Sequence, residues 1–524
     1  MKKIYYKLLI TASLFGTAGC EKMQFDDPVS FTIEEAKALT PDYYFKLTTA
    51  SFASSIFYSF DGPSSTAGFS ILADQTTTTN RNLEWWDFAK EPRIPLNPSE
   101  SYGGRDVLYV PYYYFYQANL NATLALEGLY AGNPGIDANG NDRTNEVYAI
   151  AHFIKGVSQG YLGATYDRGV IVDKNLGGSG LQEYPNSYKE LIENGVAHFD
   201  SAIVYANKAS SITLSDFYVN VIGNKTTLIQ FANSLAARFL ASIPRDKTEA
   251  KALGAAFWNK VLTYAQNGLT TDLTTAGYGG SGHFYNYSAR QLYTLINSNT
   301  AAYLPIDIKL AHFADNTGTY PDSYPTNSTT VLDAIQTDDA RFHQYYRYFP
   351  AFGFLLEERG RHLFSNYGRV RRGFGANPVT YDNRQVVFVA EELRLLRAEA
   401  KFWLDDFAGA AAELNASTAR RKAIGGLRDV PATEAALRYV LHYEWAVEID
   451  VEGGNLGPFA FMRRHNLLQP GTPTQFPIVE NQLKLTPNQL YTFGGEANIG
   501  VKGIWGETGT AGADWGWKGT KVNY

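Results

Sequence analysis

The clearest hydrophobic pattern in the chain lies within residues 385–421. Apolar residues recur there at steps of three and four, which places them on one face of a helix. Arg394, Arg397 and Lys401 fall outside this stripe and can stay in water. A short polar turn at 405–406 precedes an alanine-rich run, so the pattern predicts two helices packed against each other. The stripe consists of Val389, Leu393, Leu396, Ala400, Trp403 and Leu404.

Helical spacing recurs through most of the chain. The pattern predicts helices over residues 112–129, 145–164, 187–207 and 228–241, with further helices between 31 and 60. No segment shows the regular alternation of a sheet strand, which argues against a parallel α/β fold. The sequence therefore predicts a mainly helical protein.

Two long segments interrupt the helical pattern. Residues 61–106 are rich in Gly, Pro, Ser, Thr and Asn, and residues 268–325 combine loop-forming residues with many tyrosines. Such composition predicts loops rather than helices of a bundle. Long loops on a rigid scaffold are where binding residues tend to lie.

The first twenty residues resemble a lipoprotein export signal. Lysines at positions 2, 3 and 7 precede an apolar stretch, residues 8–16, which is too short to span a bilayer. The sequence Ala18-Gly19-Cys20 then looks like a lipobox, in which the cysteine is lipidated. Cys20 is the only cysteine in the chain, so no disulfide competes for it. We expect a signal peptide over residues 1–19 and a lipid anchor on Cys20.

Charge and composition exclude some classes of function. The chain has 524 residues, a net charge of −6 and a pI near 5.8, and no basic stripe that would neutralise phosphates. Nucleic acid is therefore not a predicted partner.

Three patterns resemble functional motifs, but none of them indicates catalysis or metal binding. Residues 156–160 fit G-x-S-x-G, but the preceding residues are helical in period, whereas a nucleophile elbow needs a strand. Residues 137–148 lack the glycine and glutamate of a calcium loop. Glu444, Glu448 and Glu452 could suggest the carboxylates of a glycosidase. No constellation of catalytic residues accompanies them, and we predict no enzyme activity, no cofactor and no metal.

Several blocks in the C-terminal half, among them RAEAKFWLDDFAGAAAELNASTARR at 397–421 and HYEWAVEIDVEGG at 442–454, resemble segments of the SusD/RagB family. Members of this family are surface lipoproteins that bind nutrients, usually glycans, for an outer-membrane transporter. The order and spacing of the blocks both match. Trp445 departs from the family pattern, which more often has arginine there, and Val479 replaces the second proline of Pro-Ile-Pro. The matching blocks are residues 397–421, 442–454, 461–468 and 476–483.

The resemblance implies an all-α, SusD-like fold with tetratricopeptide-like helical hairpins and long inserted loops. It implies one domain over residues 20–524, with a scaffold and binding loops in about 30–330 and a C-terminal part in about 331–524. The implied function is capture of an oligosaccharide or polysaccharide and its delivery to a SusC-like TonB-dependent transporter. The protein would then be lipid-anchored at the outer membrane and exposed at the cell surface. At Glu444, Glu448 and Glu452 the resemblance implies a structural role.

Binding residues in this family follow no fixed motif, so the candidates come from side-chain chemistry. Sugars present flat C–H faces and a rim of hydroxyls, which aromatic rings and adjacent polar groups recognise. Trp85 and Trp86 are the strongest candidates, because adjacent residues cannot easily both face one core. The candidates are Asp74, Arg81, Trp85, Trp86 and Tyr102 in the first loop segment, and Tyr278, Tyr285, Tyr320 and Tyr324 in the second.

Three alternatives remain open from the sequence. The same fold could capture peptides, as some family members are thought to do. A surface glycoside hydrolase would release product from a glycan. A purely structural surface protein would bind the transporter and no soluble ligand.

Overall fold

A computed structural model describes most of the chain, namely residues 48, 63–79, 84–137, 139–173, 185–213, 223–274, 304–321, 332–349, 356, 359, 365–369, 386–449 and 456–512. These residues form helices joined by loops. The helices are α1 Pro63–Leu72, α2 Trp85–Ala89, α3 Asp106–Tyr130, α4 Thr144–Thr165, α5 Tyr188–Lys208, α6 Lys225–Ala241, α7 Lys247–Ala252, α8 Gly254–Gln266, α9 Ile308–Ala314, α10 Ala340–Tyr345, α11 Glu391–Trp403, α12 Phe407–Asn415, α13 Arg420–Ala423, α14 Glu434–Glu448, α15 Leu456–Arg464 and α16 Glu480–Leu483.

Strands are short within these described ranges. They pair as three antiparallel ladders of two strands each. The all-α architecture predicted from the sequence is thus confirmed, and α3, α4, α5 and α6 match the predicted helices with ends that differ by a few residues. The strands are β1 Arg168–Gly169, β2 Asn186–Ser187, β3 Leu273–Thr274, β4 Tyr346–Tyr348, β5 Tyr367–Arg369 and β6 Val386–Phe388.

Glycines allow α4 and α5 to pack unusually close together. A Cβ atom on Gly195 of α5 would lie 3.0 Å from the backbone nitrogen of Gly160 and 3.1 Å from the carbonyl oxygen of Gly156. A Cβ on Gly160 would lie 2.3 Å from the ring of Phe239 in α6. The glycines of the G-x-S-x-G pattern therefore serve helix packing. Ser158 between them is buried within α4, as expected when the helical period argued against a nucleophile elbow.

The helical hairpin predicted within residues 385–421 is present as α11 and α12. The predicted stripe lies inward, with Val389, Leu393 and Ala400 fully buried. Asp406 ends the turn and caps α12 by accepting a hydrogen bond from the backbone N–H of Gly409 at 2.8 Å. On the outer face, Glu413 of α12 forms salt bridges with Arg397 and Lys401 of α11. These ion pairs link the two helices across part of the face that was predicted to be solvated.

Buried ion pairs connect α11 to distant parts of the chain. Arg238 of α6 donates two hydrogen bonds to Glu392, at 2.5 and 2.7 Å. Arg464 donates two more to Glu399, at 2.5 Å each, and His465 contacts the same carboxylate at 2.8 Å. Burial would raise the pKa of Glu399, but Arg464 and His465 outweigh it and hold that pKa at about 2. These pairs fix α11 against both the N-terminal helices and α15.

The two segments predicted as long loops contain helices. Residues 63–72 form α1, and α2 and α9 also fall within the predicted loops. The Ser, Thr and Gly of α1 have low helix propensity, but residues 67–72 are buried, and a Cβ on Gly68 would lie 3.1 Å from a Val107 methyl. Tertiary packing overrides propensity here, which composition alone does not reveal.

The segment that follows α15, residues 465–512, contacts the end of α4, and we call it the C-terminal segment. Tyr166 and Phe476 form a parallel bridge, and the backbone N–H of Asp167 donates to the carbonyl of Phe476 at 3.1 Å. The hydroxyl of Tyr491 lies 2.8 Å from both carboxylate oxygens of Asp167. Asp167 is buried, so this contact joins the scaffold to the C-terminal segment inside the protein.

Candidate functional site

The adjacent tryptophans of α2 have different environments. Trp85 is buried, with 1% of its surface exposed, whereas Trp86 is only partly buried. Neighbouring residues in a helix point about 100° apart, so the two rings cannot enter the same core. The structure divides the predicted pair into one core residue and one residue at the surface.

Two cationic side chains contact the ring of Trp86. Lys90, one helical turn further on, places Nζ 4.4 Å from the centre of the Trp86 ring. Arg359, from a distant part of the chain, places Cζ 5.0 Å from the same ring. Arg359 also donates a hydrogen bond to the carbonyl of Thr79 at 3.1 Å. Cations are attracted to the electron-rich face of an indole, so both contacts hold the ring in place.

Tyr102 is connected to Lys90 through Asp87, which contacts both side chains. Its hydroxyl donates to Asp87 Oδ2 at 2.7 Å, and Asp87 Oδ1 pairs with Lys90 Nζ at 2.6 Å. Burial, together with the Asp87 carboxylate, raises the pKa of Tyr102, so its hydroxyl keeps its proton. We refer to Trp86, Asp87, Lys90, Tyr102 and Arg359 as the Trp86 surface.

The Trp86 surface offers an aromatic face together with hydrogen-bonding groups. An indole can stack on the apolar face of a ring, while carboxylate, ammonium and guanidinium groups bond to polar groups at the ring edge. A ligand that covers the indole would displace Lys90 or Arg359 from it. The sequence reasoning missed Asp87 and both cations. The four-residue spacing from Trp86 to Lys90 was a usable signal, whereas nothing in the sequence indicated Arg359.

Asp74 lies inside the protein, behind α2. It forms ion pairs with Arg93 and with Lys309 Nζ, the latter at 2.7 Å, and all three side chains are buried. Arg93 in turn donates to the carbonyl of Phe88 near the end of α2. Lys309 also lies 3.3 Å from Glu91, whose pKa is raised by burial. In this structure the Asp74 carboxylate supports α2 from within and is not presented to a ligand.

Tyr320 is fully buried in the structure. Its hydroxyl donates to the carbonyl of Ser365 at 2.6 Å, and its own carbonyl lies 2.6 Å from His312 Nδ1. Its backbone N–H donates to Asp315 at 3.2 Å. These contacts anchor the loop that follows α9, so the ring is placed in the interior and not at the Trp86 surface.

The remaining candidates lie outside the described residues. Their predicted roles, ligand binding for the aromatic residues and arginine and lipidation for the cysteine, stay predictions. They are Arg81, Tyr278, Tyr285, Tyr324 and Cys20.

The carboxylates that resembled a glycosidase pair are engaged in a buried ion-pair network. Arg341 donates to Glu444 at 2.6 and 2.9 Å and to Glu448 at 3.1 Å, and it also bonds Asp339. The side chains of Glu444 and Glu448 are 2% and 0% exposed. Such carboxylates cannot reach a bound glycan, and they join α10 to α14. Glu452, the third of the series, is outside the described residues.

Two further features of the described residues bear on function. Their His, Asp and Glu side chains form no group of three or more that could hold a metal ion. Among the helices described here, none is both long and apolar enough to cross a bilayer.

Comparison with known proteins bears on the fold. No protein-family model matches the sequence, and a search of curated proteins finds no match. Among solved structures, a SusD homolog from Bacteroides thetaiotaomicron VPI-5482 has a TM-score of 0.57 at 12% identity, covering 85% of this chain and 97% of its own. The chain has a SusD-like fold. This confirms the fold that the sequence blocks indicated.

Other SusD-like neighbours span a similar share of the chain. A SusD-like carbohydrate binding protein from Bacteroides vulgatus ATCC 8482 gives a TM-score of 0.53 at 13% identity over 83% of this chain and 86% of its own. Surface glycan-binding protein A from Bacteroides fluxus gives 0.54 at 13% identity over 86% and 98%. The SusD-like fold therefore extends over most of the sequence.

Proposed function

We propose that this SusD-like protein captures an oligosaccharide or polysaccharide at the cell surface and delivers it to a SusC-like TonB-dependent transporter. The observation that carries the proposal is the Trp86 surface, a partly exposed indole next to charged and hydroxyl groups. Two structural neighbours are described as carbohydrate or glycan binders, which supports the same ligand class. The single-domain organisation and the absence of catalysis are parts of this proposal.

The physical basis of capture is stacking combined with hydrogen bonding. A pyranose presents C–H groups on one face, and burial of this face against Trp86 removes apolar area from water. Asp87 and Tyr102 would bond hydroxyls at the ring edge. Tyr102 donates its hydroxyl proton to Asp87, so its oxygen would accept a hydrogen bond from a sugar hydroxyl.

We further propose that the protein is tethered to the outer membrane through lipid on Cys20. The support is the sequence Ala18-Gly19-Cys20 and the absence of a second cysteine. Acyl chains contribute roughly 0.8 kcal/mol per buried methylene, so more than one chain gives a stable anchor. The anchored protein would face outward, where glycans are encountered.

The proposed docking surface for the transporter lies in the C-terminal segment. Five large apolar side chains within residues 485–504 are 41–61% exposed, a concentration not matched elsewhere in the described chain. Exposed apolar groups that lie together mark sites of protein contact. They are Leu485, Leu490, Ile499, Val501 and Ile504.

Affinity electrophoresis tests the capture of glycans. The full-length chain, purified in a mild detergent, is run through native gels that contain starch, xylan, galactomannan, arabinogalactan or pectin. We expect one polysaccharide to retard the chain, Trp86→Ala to remove most of the retardation and Trp86→Phe to preserve a larger part of it. Tyr130→Ala serves as the matched control, because Tyr130 is a 62% exposed aromatic residue at the far end of α3.

Four results would contradict this assignment. Migration unaffected by every polysaccharide would remove the support for glycan capture, and binding of an extended peptide library that requires Trp86 would favour peptide capture. Retardation that Trp86→Ala leaves unchanged would place the glycan elsewhere. Release of reducing sugar from a retarding glycan would indicate a hydrolase.

Site-specific photo-crosslinking tests the partner. A photoreactive residue at position 501 in native cells should crosslink to a TonB-dependent transporter, identified by mass spectrometry. Position 204 on α5 is the control, since Val204 is 50% exposed and Val501 is 54% exposed. Equal crosslinking of the transporter from both positions, or none from position 501, would contradict the proposed docking surface.

A further inference from the structure

A second concave site lies in a different part of the molecule from the Trp86 surface. A cavity of about 280 Å³ is enclosed by α9, the turn at 337–339, the loop at 426–428 and α14. It shares no residue with the Trp86 surface. Ligand sites are concave and combine apolar walls with a few placed polar groups, and this cavity has both.

Three aromatic side chains form the floor of the cavity. Tyr439 and Tyr443 are one helical turn apart on α14, so they lie on the same face. The ring of Phe313 from α9 packs edge-on against both, with centroid distances of 5.0 and 5.4 Å. The hydroxyl of Tyr443 donates to Asp339 at 2.9 Å, which fixes the orientation of its ring. Both tyrosines remain partly exposed.

Backbone hydrogen bonds hold the walls in place. Arg421 donates to the carbonyl of Arg428 at 2.8 Å, and the N–H of Leu427 donates back to the carbonyl of Arg421 at 3.0 Å. Gly426 between them has a φ of 69°, a conformation that favours glycine. On the opposite wall, the N–H of Asn316 donates to the carbonyl of Gln336 at 2.6 Å. The cavity is thus formed before any ligand arrives.

The rim carries three planar polar side chains whose bonding capacity is unused. Asn316, Asp338 and Arg428 are exposed. Within the described part of the chain, none of the three side chains has a hydrogen-bond or ion-pair partner. An amide, a carboxylate and a guanidinium each offer two or more bonding positions in one plane, which suits pairs of neighbouring hydroxyls.

We infer that this cavity is a second binding site, which takes one sugar ring with its C–H face on the aromatic floor and its hydroxyls at the rim. The volume suits one ring and not a longer chain, since sites for larger ligands span roughly 300–1,000 Å³. The choice of ligand class rests on the proposed function, whereas the site itself rests on the floor and the rim. A protein with two separate contacts holds a long glycan more firmly than either contact alone.

Saturation-transfer difference NMR on the full-length chain in detergent tests the inference. The probes are the methyl pyranosides of glucose, galactose, mannose and xylose, with leucine and dileucine as zwitterionic probes. Trp86→Ala is used throughout as the background, so that only the second site is observed. We expect at least one pyranoside to bind, and Asp338→Ala/Arg428→Ala to lower its affinity about tenfold or more through the loss of two hydrogen-bonding groups.

The matched control is Lys189→Ala/Glu193→Ala, which also removes one positive and one negative exposed side chain, on α5. It should bind the pyranoside as the background does. Melting temperatures should agree between both double variants, because all four side chains are exposed.

Three outcomes overturn the inference. If no pyranoside binds in the Trp86→Ala background while wild type is still retarded by a polysaccharide, the second site fails and the proposed function stands. If a pyranoside binds equally well to the Asp338/Arg428 variant, the cavity is not its site. If leucine or dileucine binds and this variant loses it, the cavity takes zwitterions and not sugars. If the wild-type chain binds no glycan at all, in contrast, the proposed function is contradicted.

Discussion

Two regions of the protein have buried interiors that are stabilised in different ways. One is the helical scaffold around α4 and α5, and the other is the Trp86 segment, which comprises residues 74–79 and 84–93. Between α4 and α5, backbone meets backbone across Gly156, Gly160 and Gly195, and apolar rings fill the remaining space. In residues 74–79 every side chain is polar and buried. There, ion pairs from Asp74 to Arg93 and Lys309, together with a hydrogen bond from Arg369 to Thr76, take the place of apolar packing.

This difference determines how each region responds to change. Apolar packing in the scaffold is sensitive to volume, because a well-packed interior has no room for added atoms. The Trp86 segment is sensitive to charge, because a buried ion that loses its partner stays desolvated. The geometry of the Trp86 surface therefore depends on a few polar contacts behind it, whereas the scaffold depends on shape.

The largest effect is expected at Asp74. Asp74→Ala leaves Arg93 and Lys309 buried without this carboxylate and should lower the free energy of unfolding by about 3–5 kcal/mol. Because Arg93 also bonds the carbonyl of Phe88, α2 should shift, and glycan binding should weaken even where the chain stays folded. Urea denaturation followed by circular dichroism measures the first effect, and affinity electrophoresis measures the second.

Asp87→Ala is the matched control for this change. It removes a carboxylate from the same segment, but its partner Lys90 keeps 31% of its side chain in water. Exposed or half-exposed ion pairs contribute about 0–1 kcal/mol, so the loss of stability should be small. If Asp74→Ala and Asp87→Ala lowered the free energy of unfolding equally, the buried ion pairs of Asp74 would be no more important for stability than the partly exposed pair of Asp87. If Asp74→Ala does not fold at all, Asp74→Asn provides a milder test.

The same contrast explains what the sequence could and could not predict. Helices α3 to α6 and the α11–α12 hairpin follow from spacing within a few turns, which is local information. The ion pairs of Asp74 join residues 19 and 235 positions away, and no periodicity reveals such partners. For that reason Asp74 was a plausible surface candidate from sequence and is an interior residue in the structure.

The tryptophan pair marks the boundary of sequence-based prediction at the site. Adjacency alone indicated that the two rings would separate, and the structure agrees. Which ring would be buried depends on the direction of α2, and this direction is set by Arg93 and Asp74. Arg359 reaches Trp86 from more than 250 residues away, so its role was not predictable from local sequence.

A second prediction concerns Asp167, a buried carboxylate where scaffold and C-terminal segment meet. Burial, with a smaller contribution from Glu507, raises its pKa to about 8, although the Tyr491 hydroxyl and Arg168 act to lower it. The unfolded chain releases this proton near pH 4, so the folded state holds one more proton between about pH 4 and pH 8. Stability should therefore fall as the pH rises across this range.

Asp167→Asn isolates this contribution. An asparagine keeps an oxygen that accepts from Tyr491 but cannot ionise, so the variant should become progressively more stable than wild type as pH rises from 4 to 8. The measurement is the difference in free energy of unfolding between the two chains at each pH. Parallel curves would show that Asp167 ionises in the folded state as it does in the unfolded chain.

The smallest expected effect comes from a change in side-chain volume where α4 packs against α6. In Gly160→Ala, the added methyl would lie 2.3 Å from the Phe239 ring, and overpacking of this kind costs about 1–3 kcal/mol. Gly223→Ala is the control, because a Cβ at Gly223 meets nothing within 4 Å, and its effect should be under about 0.5 kcal/mol. Combining Gly160→Ala with Phe239→Leu should recover about 1 kcal/mol relative to the sum of the single changes, because the smaller side chain can give way. Additive losses would show that the closeness of α4 to α6 is not what makes glycine necessary at position 160.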